Sequence, residues 1–196
     1  MNQRSIKYIL LLLITIPALN ACEYQFDQKV RQWNPYTKFQ VLVFESTKNQ
    51  RDSIFISDVE EHQQNNNPVI KVKCEMVNKN PATSVKTQSW LLTLTTTERN
   101  KAEFNIHLFT KTARLWPFVP KRTTWLDSLP MTKMEVYGTD YRDVILLEPD
   151  KDAADYTTSS AGETFVEKIY WSKEHGLIRY DLKNGTVWNL AKKYSL

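Results

Sequence analysis

Short runs of alternating apolar and polar residues cover most of the chain after position 36. The runs are rich in Val, Ile, Phe, Trp and Thr, which favour β-strands, and polar turn-forming clusters separate them. Short connections between consecutive strands favour an antiparallel meander. The pattern predicts ten strands, at residues 39–44, 54–59, 69–77, 89–96, 102–110, 132–137, 141–148, 164–172, 177–182 and 186–190.

The first of the last two hairpins can be aligned residue by residue. A turn at residues 173–176 leaves Gly176 free to take the positive φ that such a turn needs. One register then pairs apolar residues with each other on one face of the hairpin and a basic residue with an acidic residue on the other face. The predicted register pairs Trp171 with Ile178, Ile169 with Tyr180 and Lys168 with Asp181.

The second hairpin has two possible loops. A two-residue loop at Asn184-Gly185 would put Trp188 opposite Asp181. A three-residue loop at residues 183–185 keeps the apolar residues on one face, so we predict that loop. Its register pairs Trp188 with Tyr180 and Leu190 with Ile178.

These three strands share an apolar face of Ile169, Trp171, Ile178, Tyr180, Trp188 and Leu190. So much aromatic area must be covered, either by curling of the sheet or by a second sheet. We therefore expect one mainly β domain over residues 36–196. It is an antiparallel meander of about ten strands that forms a curved sheet, half-barrel or barrel, with one or two short helices. The alternative is a β-sandwich.

Two short helices are predicted outside the strands. Phe26, Val30 and Trp33 have the spacing of one helix face, so residues 22–35 are read as a tether with a short docking helix, or as an extended linker. Thr124 and Asp127 have capping-box spacing and predict a second helix, which ends before Pro130.

The chain starts with a predicted export signal at residues 1–21. Residues 1–7 carry two basic residues and no acid, and the apolar segment 8–16 follows directly. A membrane span needs about 20 apolar residues, and this run ends at Pro17. The order of a charged and then a short apolar region is typical of a cleaved secretory signal.

The next residues are Leu19-Asn20-Ala21-Cys22. They resemble the lipobox of bacterial lipoproteins, which implies that Cys22 is acylated and becomes the first residue of the mature chain. Two or three acyl chains make a stable anchor, whereas one gives only marginal membrane binding. The alternative is a plain secretory signal cleaved after Ala21.

Charge and cysteine content narrow the function classes. Removing residues 1–21 takes away Arg4 and Lys7 and leaves 24 basic against 22 acidic residues, a net charge of +2. With no basic cluster, nucleic-acid binding is not expected. If Cys22 carries lipid, Cys74 has no partner for an intramolecular disulfide, and strand alternation predicts that it is a buried, inert thiol.

A second resemblance lies near the end of the chain. The run Phe165-Val166-Glu167-Lys168-Ile169-Tyr170-Trp171-Ser172-Lys173-Glu174-His175-Gly176-Leu177-Ile178-Arg179-Tyr180, preceded by Tyr141-Arg142-Asp143-Val144, is similar to the closing hairpins of small exported lipoproteins of Bacteroidota. That resemblance implies an origin and an architecture and no chemistry.

No catalytic or metal-binding set is recognised in the sequence. His62 lies in a polar run predicted to be a loop, His107 on the polar side of a strand, and His175 in a turn. A calcium-binding loop that starts at Asp150, with Asp152 and Asp155, would need Gly at position 155 and Glu at position 161, and it has neither. Four scattered Gly cannot form a phosphate-binding loop. We expect no enzyme activity, no metal and no cofactor.

Residues 114–125 combine three aromatics, two prolines and three cations. They can form a lid whose aromatics plug the open end of the curved sheet, or a rigid contact surface. The candidate binding residues are Trp116, Phe118, Lys121, Arg122 and Trp125.

The sequence thus predicts a cell-envelope lipoprotein anchored to the outer membrane through Cys22. Its domain is expected to be a non-enzymatic binding or accessory module for an envelope protein or a small apolar or glycan ligand. A structural subunit of an envelope complex is the alternative, and a hydrolase a further one.

Overall fold

A computed structural model describes residues 28–64, 67–76, 88–96, 102–106, 126–149 and 165–196. All ten predicted strands are present in these ranges. They are β1 (Gln40–Ser46), β2 (Arg51–Gln64), β3 (Asn67–Met76), β4 (Gln88–Thr96), β5 (Ala102–Ile106), β6 (Thr132–Val136), β7 (Thr139–Leu147), β8 (Val166–Ser172), β9 (Gly176–Leu182) and β10 (Val187–Ser195).

The strands form one antiparallel sheet in the order β5-β4-β3-β2-β1-β10-β9-β8-β7-β6. Two five-strand meanders, β1 to β5 and β6 to β10, are therefore joined by pairing of the first strand with the last. Within the described residues the outermost strands are β5 and β6, so the sheet is open. The predicted meander is confirmed, and the β-sandwich alternative is wrong because one sheet contains all ten described strands.

The sheet is strongly curved. Three strands separate β10 from β6, which in a flat sheet would put them about 19 Å apart at about 4.8 Å per step. Their Cα atoms nevertheless come within 8 Å of each other. The inner faces of both meanders consequently share one core, which includes Leu42, Phe44, Ile54, Ile70, Val72, Leu92, Val144, Ile145, Trp171, Tyr180 and Trp188.

The hairpin between β9 and β10 has the predicted three-residue loop. Leu182 N donates to Thr186 O at 2.9 Å, which leaves residues 183–185 as the loop. Gly185 takes φ +78°, the left-handed conformation that this turn requires. Trp188 pairs with Tyr180 as predicted.

The register of the β8–β9 hairpin is partly as predicted. Ile169 pairs with Tyr180 and Lys168 with Asp181, but Trp171 pairs with Leu177 rather than Ile178. Ser172 pairs with Gly176, so the loop has three residues rather than four, and a register shift follows between Tyr170 and Trp171. The shift accompanies a contact that local pairing could not reveal, since the Leu177 N–H donates to the hydroxyl of Tyr36.

The polar run around His62 is a strand, not the predicted loop. β2 continues to Gln64 and pairs with β3, with His62 opposite Val69. Ion pairs support this extension, because Glu60 bonds Lys73 on β3 and Glu61 bonds Arg31. Cross-strand charge pairing thus replaces the apolar alternation that usually marks a strand.

Two short helical elements are described. α1 spans Gln28–Arg31 within the predicted tether and buries Val30, and Trp33 lies buried just after it. A single 3-10 turn spans Leu126–Ser128, closed by Leu129 N donating to Leu126 O at 3.2 Å. Phe26 and Thr124, on which the helix predictions partly depended, lie outside the described residues.

Candidate functional site

The predicted lipidation site and the predicted contact surface both lie outside the described residues. This applies to Cys22 and to Trp116, Phe118, Lys121, Arg122 and Trp125. They therefore stay predictions. The described part instead shows two places where side chains converge, and both are at one end of the sheet.

We call this end of the sheet the closed end. It is the end at which the odd-numbered strands begin and the even-numbered strands finish. It contains the β6–β7 and β8–β9 turns and the chain terminus after Ser195. Residues 28–37 cross it and cover the inner face of the sheet. Their side chains Val30, Trp33 and Tyr36 are 1%, 0% and 3% exposed, and all three belong to the common core.

Tyr36 attaches this segment to β8 and β9. Its hydroxyl accepts a hydrogen bond from Leu177 N at 2.8 Å. Its ring meets Trp171 edge to face, with centroids 5.7 Å apart. Burial raises the pKa of the hydroxyl well above its usual range. The neutral phenol therefore serves as a buried acceptor for the backbone N–H of Leu177.

Two lysines also hold residues 28–37 at the closed end. Lys193 Nζ donates to Pro35 O at 3.1 Å and to His175 O at 3.3 Å, and it lies 5.0 Å from the centroid of the Tyr36 ring. Burial lowers the pKa of this ammonium group. Lys173 lies over the Trp33 ring at 4.7 Å. The segment is thus held by apolar burial, hydrogen bonds and cation–π contacts together.

A Ser, an Asp and a His meet at the β8–β9 turn. Asp143 accepts one hydrogen bond from the Ser172 hydroxyl at 2.8 Å and another from Glu174 N at 2.7 Å. The Ser172 oxygen in turn accepts the backbone N–H of His175 at 3.0 Å. These residue types form hydrolase triads when the imidazole takes the serine proton.

The geometry of this cluster is not that of a nucleophile. The His175 ring packs edge to face on Tyr141, with centroids 5.1 Å apart, and only its backbone reaches Ser172. No contact of the imidazole with the hydroxyl is present, and Ser172 is fully buried. The cluster fixes the β8–β9 turn to β7. It thereby holds in place the start of β9, where Leu177 N bonds Tyr36.

The inner face carries a row of aromatic rings beyond Trp171. Tyr180 stacks on Trp188 with centroids 5.8 Å apart, and Phe44 meets Tyr180 edge to face at 5.5 Å. The buried indole N–H of Trp188 has no hydrogen-bond partner within the described ranges. A polar acceptor brought to this position would recover the free energy that such a group loses on burial.

Cys74 is 2% exposed on the inner face of β3, as the alternation predicts. Burial, with a smaller contribution from the charge of Glu75, raises the pKa of its thiol to about 12. A thiolate is the reactive form, so this group is inert at neutral pH.

This pKa shift predicts an alkaline loss of stability. The unfolded thiol ionises near its ordinary pKa of 9.0, whereas the folded thiol keeps its proton up to a pKa of about 12. Between these values the folded state binds more protons, so stability falls as pH rises, by at most about 1.4 kcal/mol per pH unit. We expect denaturant titrations from neutral pH upward to show a steeper fall in wild type than in Cys74→Ala just above pH 9.0.

Tyr36 and Lys193 also have shifted pKa values, but both proteins contain them, so the difference in slope between the two proteins reports the thiol. Parallel pH profiles for the two proteins would show that the thiol is not desolvated in the folded state.

The described residues contain neither a candidate metal centre nor a candidate membrane-spanning helix. No group of three His, Cys, Asp or Glu side chains in these ranges could hold a metal ion. No helix in the same ranges is long and apolar enough to cross a membrane.

Tyr36, Lys193 and Leu177 were not predicted to act together. Their contacts join residues more than 100 positions apart, and no local pattern marks them. Only the helical spacing of Val30 and Trp33 indicated that this segment docks. Comparison of the chain with models of protein families, with curated proteins and with solved structures gives no match.

Proposed function

We propose that the protein is a cell-envelope lipoprotein, anchored to the outer membrane by acyl chains on Cys22, and that its β domain is a non-enzymatic binding or accessory module. The leader of residues 1–21 and the lipobox-like Leu19-Asn20-Ala21-Cys22 support the anchor. The acyl chains would fix the location, and the domain would supply the contact surface.

The attachment of residues 28–37 to the closed end carries this proposal. Five residues separate Cys22 from Gln28, and the six Cα–Cα steps that join them span at most about 22 Å in any conformation. An anchor on Cys22 would therefore hold the closed end near the membrane. The closed end would then be the side of the domain that faces the membrane, and the opposite end of the sheet, which we call the far side, would point away from it.

The far side favours the binding role. β5 ends and β6 begins at the end of the sheet opposite the closed end, so the connection that contains residues 114–125 starts and finishes there. Rigid aromatic residues with flanking cations suit contact with a protein, an apolar molecule or a glycan. An anchored module would thus present this segment away from the bilayer.

A structural subunit of an envelope complex is the second candidate. The exposed apolar side chains Phe39, Tyr194 and Leu196 favour it, because such groups often mark interaction surfaces. A hydrolase is disfavoured by the Ser172 geometry described above.

The anchor is tested by Cys22→Ser, with Cys74→Ser as the matched control. We expect wild type and Cys74→Ser to partition into detergent from host membranes, and Cys22→Ser to stay in the aqueous phase. Mass spectrometry of the N-terminal peptide should show an acylated Cys22 as the first residue. An aqueous wild-type protein with an unmodified N-terminus would contradict the proposal.

The binding role is tested by capture of partners from detergent-solubilised membranes with the acylated protein. The double variant Trp116→Ala/Trp125→Ala should lose partners that wild type retains, while Tyr137→Ala, an exposed aromatic at the closed end, should keep them. An unchanged set of partners in the double variant would remove residues 114–125 as the contact surface.

A further inference from the structure

The outer face of the sheet carries an aromatic patch beside the closed end. Val41 on β1 lies between Phe55 on β2 and Tyr194 on β10 as a direct cross-strand neighbour of both. Phe39 and Leu196 flank this row at the strand ends. Phe39, Tyr194 and Leu196 are 49%, 39% and 78% exposed. We call Phe39, Val41, Phe55, Tyr194 and Leu196 the aromatic patch.

The backbone is strained to build this patch. Phe39 has φ +67°, a conformation that bulky residues rarely adopt. Its N–H donates to Ile56 O and its carbonyl accepts from Leu196 N, each at 2.9 Å, so both neighbours fix the backbone. The ring then stacks on Phe55, with centroids 6.4 Å apart and planes 16° apart. Strain that exposes an apolar ring points to a role for that ring outside the core.

Lysines lie against the same rings. Lys38 Nζ is 5.2 Å from the Phe39 centroid, and Lys192 Nζ is 4.9 Å from that of Tyr194. Lys38 also pairs with Asp58 at 3.4 Å, so the local charge is nearly balanced. Exposed aromatic rings with lysine ammonium groups close to them suit the boundary between headgroups and acyl chains.

We propose that the aromatic patch rests on the lipid bilayer that holds the acyl chains of Cys22. This inference depends on the proposed anchoring. The five residues between Cys22 and Gln28 let Cys22 lie at most about 22 Å from the start of α1, which is fixed to the closed end. The patch is therefore kept near the bilayer at high effective concentration, and a modest apolar surface suffices for contact.

The experiment uses the full acylated protein in phosphatidylethanolamine/phosphatidylglycerol vesicles that contain doxyl-labelled lipid. A fluorophore is attached at Tyr194→Cys or, as the matched control, at Leu146→Cys, both in a Cys74→Ala background. Tyr194 and Leu146 are 39% and 38% exposed, but Leu146 lies near the far end of β7. The acyl state of Cys22 is measured by mass spectrometry on the same samples.

With Cys22 acylated, we expect doxyl quenching at position 194 to exceed that at position 146 by about threefold, because an interfacial group enters the headgroup region and a remote group does not. Equal quenching at both positions would overturn the contact and leave the anchor intact. A blue-shifted probe at position 194 without lipid quenching would also overturn it and indicate a protein on the patch. An unmodified Cys22 would overturn the anchor, and the bilayer contact with it.

Phe39→Gly separates the contact from folding. Glycine adopts a φ of +67° without strain, so the variant should keep the backbone and the denaturation midpoint of wild type. We expect it to lower quenching at position 194 by about half while Cys22 stays acylated, because the most exposed aromatic ring of the patch is lost. Unchanged quenching in a folded Phe39→Gly protein would contradict the role of this ring.

Discussion

Trp33→Ala is expected to lower the free energy of unfolding by about 3 to 5 kcal/mol, the usual cost of deleting a large buried aromatic side chain. Trp33 is not part of any strand, but its side chain is 0% exposed and belongs to the common core. Lys173 lies over its ring. Urea denaturation followed by circular dichroism measures the change. A loss of this size means that residues 28–37 are part of the folded domain.

Tyr194→Ala is the control for this substitution. Its ring is 39% exposed on the outer face, so its loss should change stability by less than about 0.5 kcal/mol. If Trp33→Ala costs no more than Tyr194→Ala, the segment does not close the sheet in solution.

Gly176→Ala should be the second most damaging change and lower the free energy of unfolding by about 3 kcal/mol, from backbone strain and overpacking together. Gly176 has φ +85°, where a side chain costs about 1 to 2 kcal/mol. An added Cβ would also overlap the hydroxyl end of Tyr36. That ring is held between Trp171 and Leu177 N, so it cannot move without breaking these contacts.

Gly185→Ala is a matched control, because Gly185 has φ +78° but, apart from its two neighbours in the chain, no residue has an atom within 4 Å of the added Cβ. It should show the backbone strain alone, about 1 to 2 kcal/mol. Denaturation midpoints of the two variants give the difference. Equal costs would mean that Tyr36 does not lie against Gly176.

The strands could be predicted because their signals are local. Alternating apolar and polar residues defined β8, β9 and β10, and Gly185 fixed the loop that sets the register of Trp188. The aromatic area of one face showed that this face needed cover, and a curved sheet was predicted with a β-sandwich as the alternative; the strand order of the fold decided between them. Each of these inferences used residues that are close in sequence.

The remaining features depend on contacts between distant parts of the chain. The pairing of Trp171 with Leu177 was mispredicted, and it goes together with a hydrogen bond from Leu177 N to the hydroxyl of Tyr36, 141 residues away. The extension of β2 to Gln64 was missed because charge pairs with β3 and α1 stabilise it in place of apolar alternation. Such partners cannot be identified from one sequence.

The candidate functional residues also fall into a group that local motifs indicated and a group that only the fold brings together. Cys22 and residues 114–125 were found from local motifs and lie outside the described residues, so their roles stay proposals. The closed end was indicated only by the spacing of Val30 and Trp33. Its polar contacts, through Tyr36 and Lys193, became visible only in the fold.

Hydrogen exchange at the Leu177 amide tests most directly whether residues 28–37 close the sheet. This N–H has the Tyr36 hydroxyl as its acceptor, so in wild type it should exchange only by global unfolding. Tyr36→Phe should lower its exchange free energy by about 1 to 3 kcal/mol. Rapid exchange at Leu177 in wild type, while the other β9 amides stay protected, would contradict a closed end.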